Sequence, residues 1–466
     1  MTDLVWFRND LRTADNPALT AATRSGAAVR ACYLLTPGQW REHHWSPARV
    51  QLVVDHLNAL GRALADLGIE LHIIRADRFD DSIASLKKFC AQRAIRRVHF
   101  NEEYGVNERR RDKQLATDLG KTGVEVHKYR DQCAAPVGEI LTGQGRPYSV
   151  FTPFARRWRE WLQQHPPQIH PVPKPVAKPL PAPPPISSLE DWAPAPPALV
   201  ATGETAAHQQ LERFLDERVM DYKRDRDLPA LEATSRISPY LANGVLSGRQ
   251  CLVAALQLAH NAGDGGACWV NELAWRDFYI HVLYHFPRVS MNRAFKPETE
   301  ALVWNRPGQA FEAWKAGQTG LPIVDAAMRQ LNQTGWMHNR LRMVAAMYLT
   351  KNLFIDWRLG ESYFMEQLAD GFLASNNGGW QWSASTGTDA APYFRVFNPV
   401  SQSERFDPEG RFIRRFVPEL SGLDNKAIHQ PWRSGSLPNG YPAPLVDLKD
   451  SRKEAIARFQ ALKEGM

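Results

Sequence analysis

The stretch MTDLVWFRNDLRTADNPALTAATRSGAAVRACYLL, residues 1–35, decides the fold of the N-terminal part of the chain. Two β-rich apolar runs, Leu4–Phe7 and Val29–Leu35, flank an amphipathic helical pattern near Pro17–Thr23. A strand, a helix and a second strand in this order usually form a right-handed crossover between parallel strands. The stretch therefore predicts the first unit of a doubly wound α/β domain.

The same alternation continues to about residue 130. Further strands are predicted at Ile69–Ile74, Ile95–Phe100 and Val124–His127, and further helices at Val50–Leu67, Ser82–Arg93 and Glu108–Leu119. The turn after the first strand reads FRNDLR, and neither a G-x-G-x-x-G nor a G-x-x-x-x-G-K-[ST] motif is present there. We therefore do not expect this domain to bind a dinucleotide or a nucleoside triphosphate in the usual way.

The rest of the chain changes character twice. Thirteen of the 33 prolines lie between Pro166 and Pro197, which predicts an extended linker. From about Gln209 onward helical periodicity prevails, at Trp269–Tyr284, Ile323–Leu331, Arg340–Leu353, Tyr363–Leu368 and Arg452–Leu462. We predict an α/β domain over 1–130, a linker over 131–204 and a large all-helical domain over 205–466.

Composition narrows the class of protein. A length of 466 residues exceeds what one hydrophobic core usually supports. The net charge of +7 favours a polyanionic partner such as DNA. Five cysteines without a C-x-x-C pair indicate neither a disulfide framework nor a zinc site, so we expect a reducing cytoplasm and no metal. The short apolar run after Met1 predicts a buried strand rather than a secretory signal, and no membrane span is expected.

Tryptophan is unusually concentrated in the second half. Eight of the 15 tryptophans lie between Trp269 and Trp382. Six of these eight lie in the segments WVNELAWRDFY, TGWMHNRLRM, DWRLGE and LADGFLASNNGGWQWSASTGTDAAPYF. For any single tryptophan, packing in a helical core is the ordinary interpretation. The chain has no G-x-S-x-G, H-E-x-x-H or zinc-deaminase signature. Many π-systems interleaved with arginine favour nucleic-acid contact and redox or photochemistry supplied by a cofactor.

Together with VWFRNDLR, VNERRRD and TSRISPYL, these segments resemble the photolyase/cryptochrome family over nearly the full length, and within it the class I photolyases of cyclobutane pyrimidine dimers. The resemblance implies an N-terminal antenna domain and a helical domain that binds one FAD, active as the reduced anion. It implies light-driven electron transfer to a pyrimidine dimer flipped out of damaged DNA, by a monomeric cytoplasmic enzyme.

The resemblance also implies the flavin contacts. They are Tyr222, Thr234, Ser235, Arg236, Ile237, Ser238, Arg342, Asp370, Gly371, Phe372 and Asn376. Asn376 matches the residue facing flavin N5, where an amide is not a ready proton source and favours the anion. Trp380, Trp357 and Trp304 match a chain that carries electrons from the surface to the flavin. The ordinary interpretations are a helix cap for TSRIS, a salt bridge for Arg342 and Asp370, and core packing for the tryptophans.

Substrate contacts follow from the same resemblance. Glu272 matches the carboxyl that hydrogen-bonds the dimer, and Trp275 and Trp382 match the aromatic cavity walls. Relatives that repair (6-4) photoproducts have histidines where this chain has Asn339 and Met343, so these two residues favour cyclobutane dimers. The contacts expected with the DNA backbone are Arg226, Arg276, Arg340 and Gln402.

The antenna chromophore and the rival functions complete the expectations. Asn107 and Glu108 match contacts to methenyltetrahydrofolate, although a helix start explains them equally well. Ser290-Met291-Asn292 departs from the family in the folate region, so a deazaflavin antenna, or none, is the alternative. Phe372 departs where an aspartate is usual, so one polar side-chain contact near the flavin is lost or replaced by backbone. A cryptochrome photoreceptor, a (6-4) photolyase and an adenylating or electron-transfer protein are the rival functions.

Overall fold

The computed structural model describes residues 2–187, 189, 192–257, 263–434, 437–438 and 440–464. Its N-terminal part contains one parallel five-stranded sheet in the order β3-β2-β1-β4-β5. The strands are β1 (Thr2–Phe7), β2 (Ala28–Leu35), β3 (Leu71–Arg75), β4 (Ile95–Asn101) and β5 (Glu125–Tyr129). All five predicted strands are present, and the doubly wound fold class is confirmed.

Helices cover both faces of this sheet. They are α1 (Pro17–Arg24), α2 (Pro37–Glu42), α3 (Pro47–Asp66), α4 (Phe79–Gln92) and α5 (Val106–Gly120). Alternate residues of β1 point to opposite faces, so Val5 and Phe7 join one buried cluster while Leu4 and Trp6 join another. The start of α1 is fixed by the side chain of Asn16, which accepts from the backbone N–H of Leu19.

The predicted linker contains a helix that the sequence analysis did not predict, α6 (Phe151–Gln164). It is anchored to the helical part because the indole of Trp158 donates to Asp277 at 2.9 Å. The proline-rich segment that follows has no helix or strand among its described residues. It lies along the end of α3, where Val176 donates to the carbonyl of Leu67.

The C-terminal part is largely helical, as predicted. Its helices are α7 (Glu204–Glu217), α8 (Tyr222–Asp225), α9 (Ser238–Ala242), α10 (Gly248–Gln257), α11 (Gly263–His285), α12 (Gly308–Ala316), α13 (Pro322–Thr334), α14 (Asn339–Met347), α15 (Trp357–Gln367), α16 (Leu373–Ala384), α17 (Pro399–Phe406), α18 (Arg411–Phe416) and α19 (Leu448–Glu464). Short 3₁₀ segments occupy Pro287–Met291, Pro297–Ala301, Pro418–Leu420, Ala427–His429 and Pro431–Ser434, and a π-helical turn spans Tyr348–Asn352.

Buried ion pairs join the two parts. Arg249 of α10 contacts Asp15 at 2.9 Å and Asp131 at 2.6 Å, and both carboxylates are almost completely buried. Arg12 also reaches Asp131. Since pairs of this kind are costly to break, they fix the sheet against the helical part. Across the described residues, no helix combines the length and apolar character that crossing a membrane requires.

Candidate functional site

Four of the nine predicted substrate contacts, Glu272, Arg226, Arg340 and Met343, lie next to one another. Arg226, directly after α8, donates to the carboxylate of Glu272 on α11, and its Nε lies 3.9 Å from Asp227. Asp227 in turn accepts from Arg340 at the start of α14, at 2.8 Å. The guanidinium of Arg340 lies 3.9 Å from the sulfur of Met343. We call Glu272, Arg226, Asp227 and Arg340 the ion-pair row.

The members of the ion-pair row are 19–30 % exposed, so they are neither core residues nor freely solvated. Such a row presents two guanidinium groups beside a thioether and two carboxylates, a surface suited to phosphate and base contacts together. Sequence reasoning missed Asp227, because the only signal for it was its position next to Arg226.

A second pair lies deeper. Arg342 donates to Asp370 at 2.8 and 3.1 Å, and its Nε donates to the carbonyl of Met337. Asp370 is buried whereas the side chain of Arg342 is 27 % exposed inside the helical part. The pair therefore leaves part of the guanidinium accessible to a ligand, as expected of a flavin contact.

A hydrogen bond to the backbone of α15 fixes the side-chain amide of Asn376. Its Nδ2 donates to the backbone carbonyl of Glu361 at 3.0 Å, which leaves its Oδ1 free to accept from another group. The neighbouring Asn377 donates to the carboxyl of Glu361 at 3.0 Å. Burial raises the pKa of that carboxyl to about 7. Glu361 was not predicted, since a glutamate within a helix is usually a surface residue.

The space around two adjacent glycines in α16, Gly378 and Gly379, shows whether this part of the molecule fits a flavin. A Cβ on Gly378 would lie 2.2 Å from the ring of Tyr279, so this glycine allows α16 to approach α11. A Cβ on Gly379 would meet no atom within 4 Å, although the residue is only half-exposed. Gly379 lies one turn after Asn376 and one turn before Trp382, on the same helix face. Open space beside an amide and an indole fits a bound isoalloxazine ring.

The TSRIS segment forms a strained bend before α9. Arg236 adopts a left-handed conformation with φ of 52°, which is uncommon outside glycine. The guanidinium of Arg236 lies 4.9 Å from the ring centre of Trp336. The hydroxyl-bearing Thr234, Ser235 and Ser238 are half-buried around it, and Ile237 is buried. The bend therefore presents hydroxyls and backbone N–H groups, which suit a phosphate.

The three tryptophans of the expected electron chain differ in burial. Trp357 and Trp380 are buried in one apolar cluster, whereas Trp304 is half-buried at its edge, 4.8 Å from Phe354. The indole N–H of Trp380 is buried and has no hydrogen-bond acceptor among the described residues. Trp304 is thus the member of the three that reaches solvent.

Several expected residues lie elsewhere or are partly covered. Arg276 donates to the carbonyls of Gln132 at 2.6 Å and Leu241 at 3.4 Å, and its guanidinium lies 5.1 Å from the ring of Phe372, so these contacts are outside the ion-pair row. Phe372 thus meets an arginine with its ring where an aspartate would offer a carboxylate. One face of Trp275 stacks on Phe151 at 3.6 Å.

The remaining expected contacts differ in exposure. Tyr222 is buried against Phe214, and Arg226 lies over its ring. Asn339 is exposed at the start of α14, Trp382 is half-buried, and the Oε1 atom of Gln402 is buried without a donor among the described residues. Gly371 is buried directly after Asp370.

A cleft of about 320 Å³ lies between the two parts of the molecule. It is lined by both predicted antenna contacts, Asn107 and Glu108, and by the departing segment Ser290-Met291-Asn292. Asn107 contacts a ring nitrogen of His43 at 3.1 Å, and burial raises the pKa of the Glu108 carboxyl. The cleft combines acceptors and an apolar wall, as a planar heterocycle with N–H donors requires.

Comparisons with known proteins agree with this geometry. Residues 3–178 match the family model described as DNA photolyase, and residues 269–461 match that described as the FAD binding domain of DNA photolyase. The deoxyribodipyrimidine photo-lyase of Escherichia coli is 45% identical over 100% of this chain and 99% of its own length. That of Vibrio cholerae is 45% identical over 99% of both chains.

Solved structures agree with the fold. A class III photolyase from Agrobacterium tumefaciens superposes with a TM-score of 0.89 at 35% identity, covering 99% of this chain and 98% of its own. A Synechocystis cryptochrome superposes with a TM-score of 0.85 at 29% identity, covering 98% of both chains.

Proposed function

Because this chain belongs to the DNA photolyase family, with the family's FAD-binding domain, we propose that it repairs cyclobutane pyrimidine dimers in DNA by light-driven electron transfer. The observation that carries the proposal is the ion-pair row. Its contacts bring Glu272, Arg226 and Arg340 from three helices to one place, beside Met343. When bound, reduced FAD supplies the light absorption and the electron that open the cyclobutane ring.

The residues of the chain have separate tasks in this reaction. Arg226 and Arg340 hold the DNA backbone, and Glu272 and Asn339 hydrogen-bond the pyrimidine edges of the flipped-out dimer. Trp275, which packs on Phe151, and Trp382 stack on the dimer, each stack contributing roughly 1–3 kcal/mol. Gln402 is a further proposed contact to the DNA backbone. Arg276, whose guanidinium lies beside the ring of Phe372, is a further proposed contact to the DNA backbone.

The flavin environment favours electron donation. The free oxygen of Asn376 would accept a hydrogen bond from bound flavin, and the amide offers no ready proton. Arg342, paired with Asp370, contributes a positive charge that moderates the negative charge of the reduced ring. The TSRIS bend and Tyr222 hold the phosphates and the rest of the cofactor. Trp304, Trp357 and Trp380 return oxidised flavin to its reduced form under light.

The rival functions fit the site less well. The cryptochrome likeness shows that the fold is shared and does not separate the two functions. Asn376, which is not an acid, and the assembled row at Glu272 both favour repair. Asn339 and Met343 provide no acid for (6-4) photoproduct chemistry.

We propose methenyltetrahydrofolate as the antenna, held in the cleft that contains Asn107 and Glu108. The carboxylate of Glu108 would accept from the amino group of the pterin, and Ser290-Met291-Asn292 would form the opposite wall. An absorption spectrum of the purified protein, with the chromophore then released and identified by mass, separates this proposal from a deazaflavin.

Damaged DNA is the proposed partner, and the five unpaired cysteines suit a monomer in the reducing cytoplasm. The deciding experiment illuminates the reduced holoprotein with an oligonucleotide that contains one thymine dimer. Restored thymines, separated by chromatography, are the expected result. Dimers that stay intact under illumination would refute the proposal.

Glu272→Ala tests the row itself. We expect the variant to retain FAD but to bind the dimer about tenfold more weakly, since a lost hydrogen bond to a charged group is worth at least about 1.5 kcal/mol. Its repair yield per absorbed photon should fall as well. Glu212→Ala, at an exposed position on α7, is the matched control. If the two variants bound the dimer equally well and had the same repair yield, the role proposed for Glu272 would be wrong.

A further inference from the structure

A fourth tryptophan contacts the electron chain without a role in it. Trp314 of α12 is completely buried, and its ring centre lies 6.0 Å from that of Trp380 in an edge-to-face arrangement. Phe364 packs against both rings, at 4.9 Å from Trp380 and 6.0 Å from Trp314. An electron therefore has a path of direct ring contact from Trp314 to Trp380.

The path continues to the surface. The ring of Tyr363 lies 5.8 Å from that of Trp314, also edge-to-face. Tyr363 is half-buried, and its hydroxyl donates at 2.8 Å to the amide oxygen of Asn332, a residue that is exposed. The phenol thus connects a buried indole with solvent.

We propose that Trp380, Trp314 and Tyr363 form a second electron route, separate from Trp357 and Trp304, that ends in a neutral tyrosyl radical. The proposal rests on the proposed function, because both routes begin with light-driven oxidation of Trp380. One electron passes from Trp380 to the photoexcited oxidised flavin, one passes from Trp314 to Trp380, and one passes from Tyr363 to Trp314. Tyr363 releases its phenolic proton to water, so one electron and one proton leave Tyr363 while the flavin gains one electron.

The hydrogen bonds explain where the proton leaves. The N–H of Trp380 is buried without an acceptor among the described residues, and that of Trp314 donates to the carbonyl of Ala345 at 3.1 Å. Neither position offers a base, so an oxidised indole keeps its proton. It is then reduced by an electron from the next ring of the route. At Tyr363 the hydroxyl reaches the surface and the proton can leave.

The ground state of Tyr363 is suited to this task. Burial raises the pKa of the phenol to about 12, so it stays protonated at neutral pH until it is oxidised. The ammonium of Lys315 lies 5.7 Å from the ring centre. Its positive charge disfavours a cationic radical on the phenol and favours loss of the proton.

The test uses holoprotein with oxidised FAD in a Trp304→Phe background, where the first route lacks its surface member. After a blue-light pulse, transient absorption and electron paramagnetic resonance should detect a tyrosyl radical. Adding Tyr363→Phe, which removes only a hydroxyl, should abolish that signal and shorten the life of the reduced flavin. Adding Trp314→Phe should do the same. Tyr284→Phe, at a half-buried tyrosine whose ring contacts are with Tyr104 and His285, is the matched control and should retain the signal.

The outcomes separate this inference from the repair proposal. Absence of a tyrosyl signal in Trp304→Phe, or its persistence after Tyr363→Phe, would overturn the second route. Each variant is also reduced chemically and assayed for FAD content and dimer splitting, and both should remain at the wild-type level because neither tryptophan route is used by already reduced enzyme. A tyrosyl signal in a protein that splits no dimers would overturn the repair proposal alone.

Discussion

At the scale of single residues, Gly360 controls how closely α15 packs on Trp380, a member of the proposed electron chain. A Cβ on this glycine of α15 would lie 2.2 Å from an atom of the Trp380 ring and 2.7 Å from Leu349. Any side chain there must displace the indole, and electron transfer weakens steeply as rings separate. Trp357 stands three residues earlier on the same helix.

We expect Gly360→Ala to slow photoreduction of oxidised flavin severalfold. Overpacking should lower the free energy of unfolding by about 1–3 kcal/mol, and the better helix propensity of alanine should offset up to about 1 kcal/mol of this loss. Photoreduction is followed by the loss of the oxidised flavin bands under blue light. Gly120→Ala, at the end of α5 where a Cβ would meet no atom within 4 Å, is the control and should leave photoreduction unchanged. If both variants photoreduce at the same rate, the packing role of Gly360 is wrong.

The residue types at the site were predictable, but their pairing was not. Motif resemblance identified Glu272, Arg226 and Arg340 singly, and only the fold shows that Asp227 joins them. Likewise Arg276 lies in a segment full of expected contacts, yet its backbone partner at Gln132 is 144 residues away. Local sequence carries no information on such long-range partners.

At the scale of elements, periodicity located the strands well because β-rich apolar runs alternate with helices on a buried sheet. It placed a single helix over Arg340–Leu353, whereas the structure has α14 followed by a π-helical turn over Tyr348–Asn352. Such turns arise from tertiary packing and are frequent at functional sites. Helix α6 was not predicted because it directly precedes the proline-rich segment, and the whole of 131–204 was predicted as a linker.

The start of α14 gives a prediction on pH. The unprotonated ring nitrogen of His338 accepts from the backbone N–H of Arg340 at 3.2 Å, and burial lowers the pKa of this histidine to about 4. Between pH 4 and pH 6.5 the unfolded chain therefore binds a proton that the folded chain does not. The stability contributed by a neutral His338 is complete above pH 6.5 and is lost as the pH falls toward 4, by about 3 kcal/mol.

Replacing His338 tests whether stability falls with decreasing pH for this reason. His338→Asn keeps a good helix-capping acceptor but cannot titrate, so its free energy of unfolding should fall less steeply between pH 6.5 and pH 4 than that of the unchanged protein. Urea unfolding followed by circular dichroism at several pH values measures the slope. His165→Asn, at an exposed position, should keep the original slope. A steeper slope in His338→Asn would contradict the assignment.

At the scale of the whole molecule, the cleft lined by Asn107 and Glu108 depends on how the sheet and the helical part are held together, since residues of both line it. The central connection is Arg249, whose guanidinium reaches Asp15 and Asp131 across the interface. Arg12 shares Asp131, but Asp15 is completely buried and would lose its only charged partner among the described residues if Arg249 were shortened. Unpaired buried carboxylates destabilise a fold by about 3–5 kcal/mol.

We therefore expect Arg249→Gln to lower the free energy of unfolding by about 3–5 kcal/mol and to weaken any chromophore in the cleft of Asn107 and Glu108, which residues of both parts line. FAD lies within the helical part in our proposal, so it should be retained at denaturant concentrations where the antenna is already released. Arg224→Gln, which breaks only exposed ion pairs, should shift neither transition. Simultaneous loss of both chromophores from Arg249→Gln would show that the two parts unfold as one unit, against this expectation.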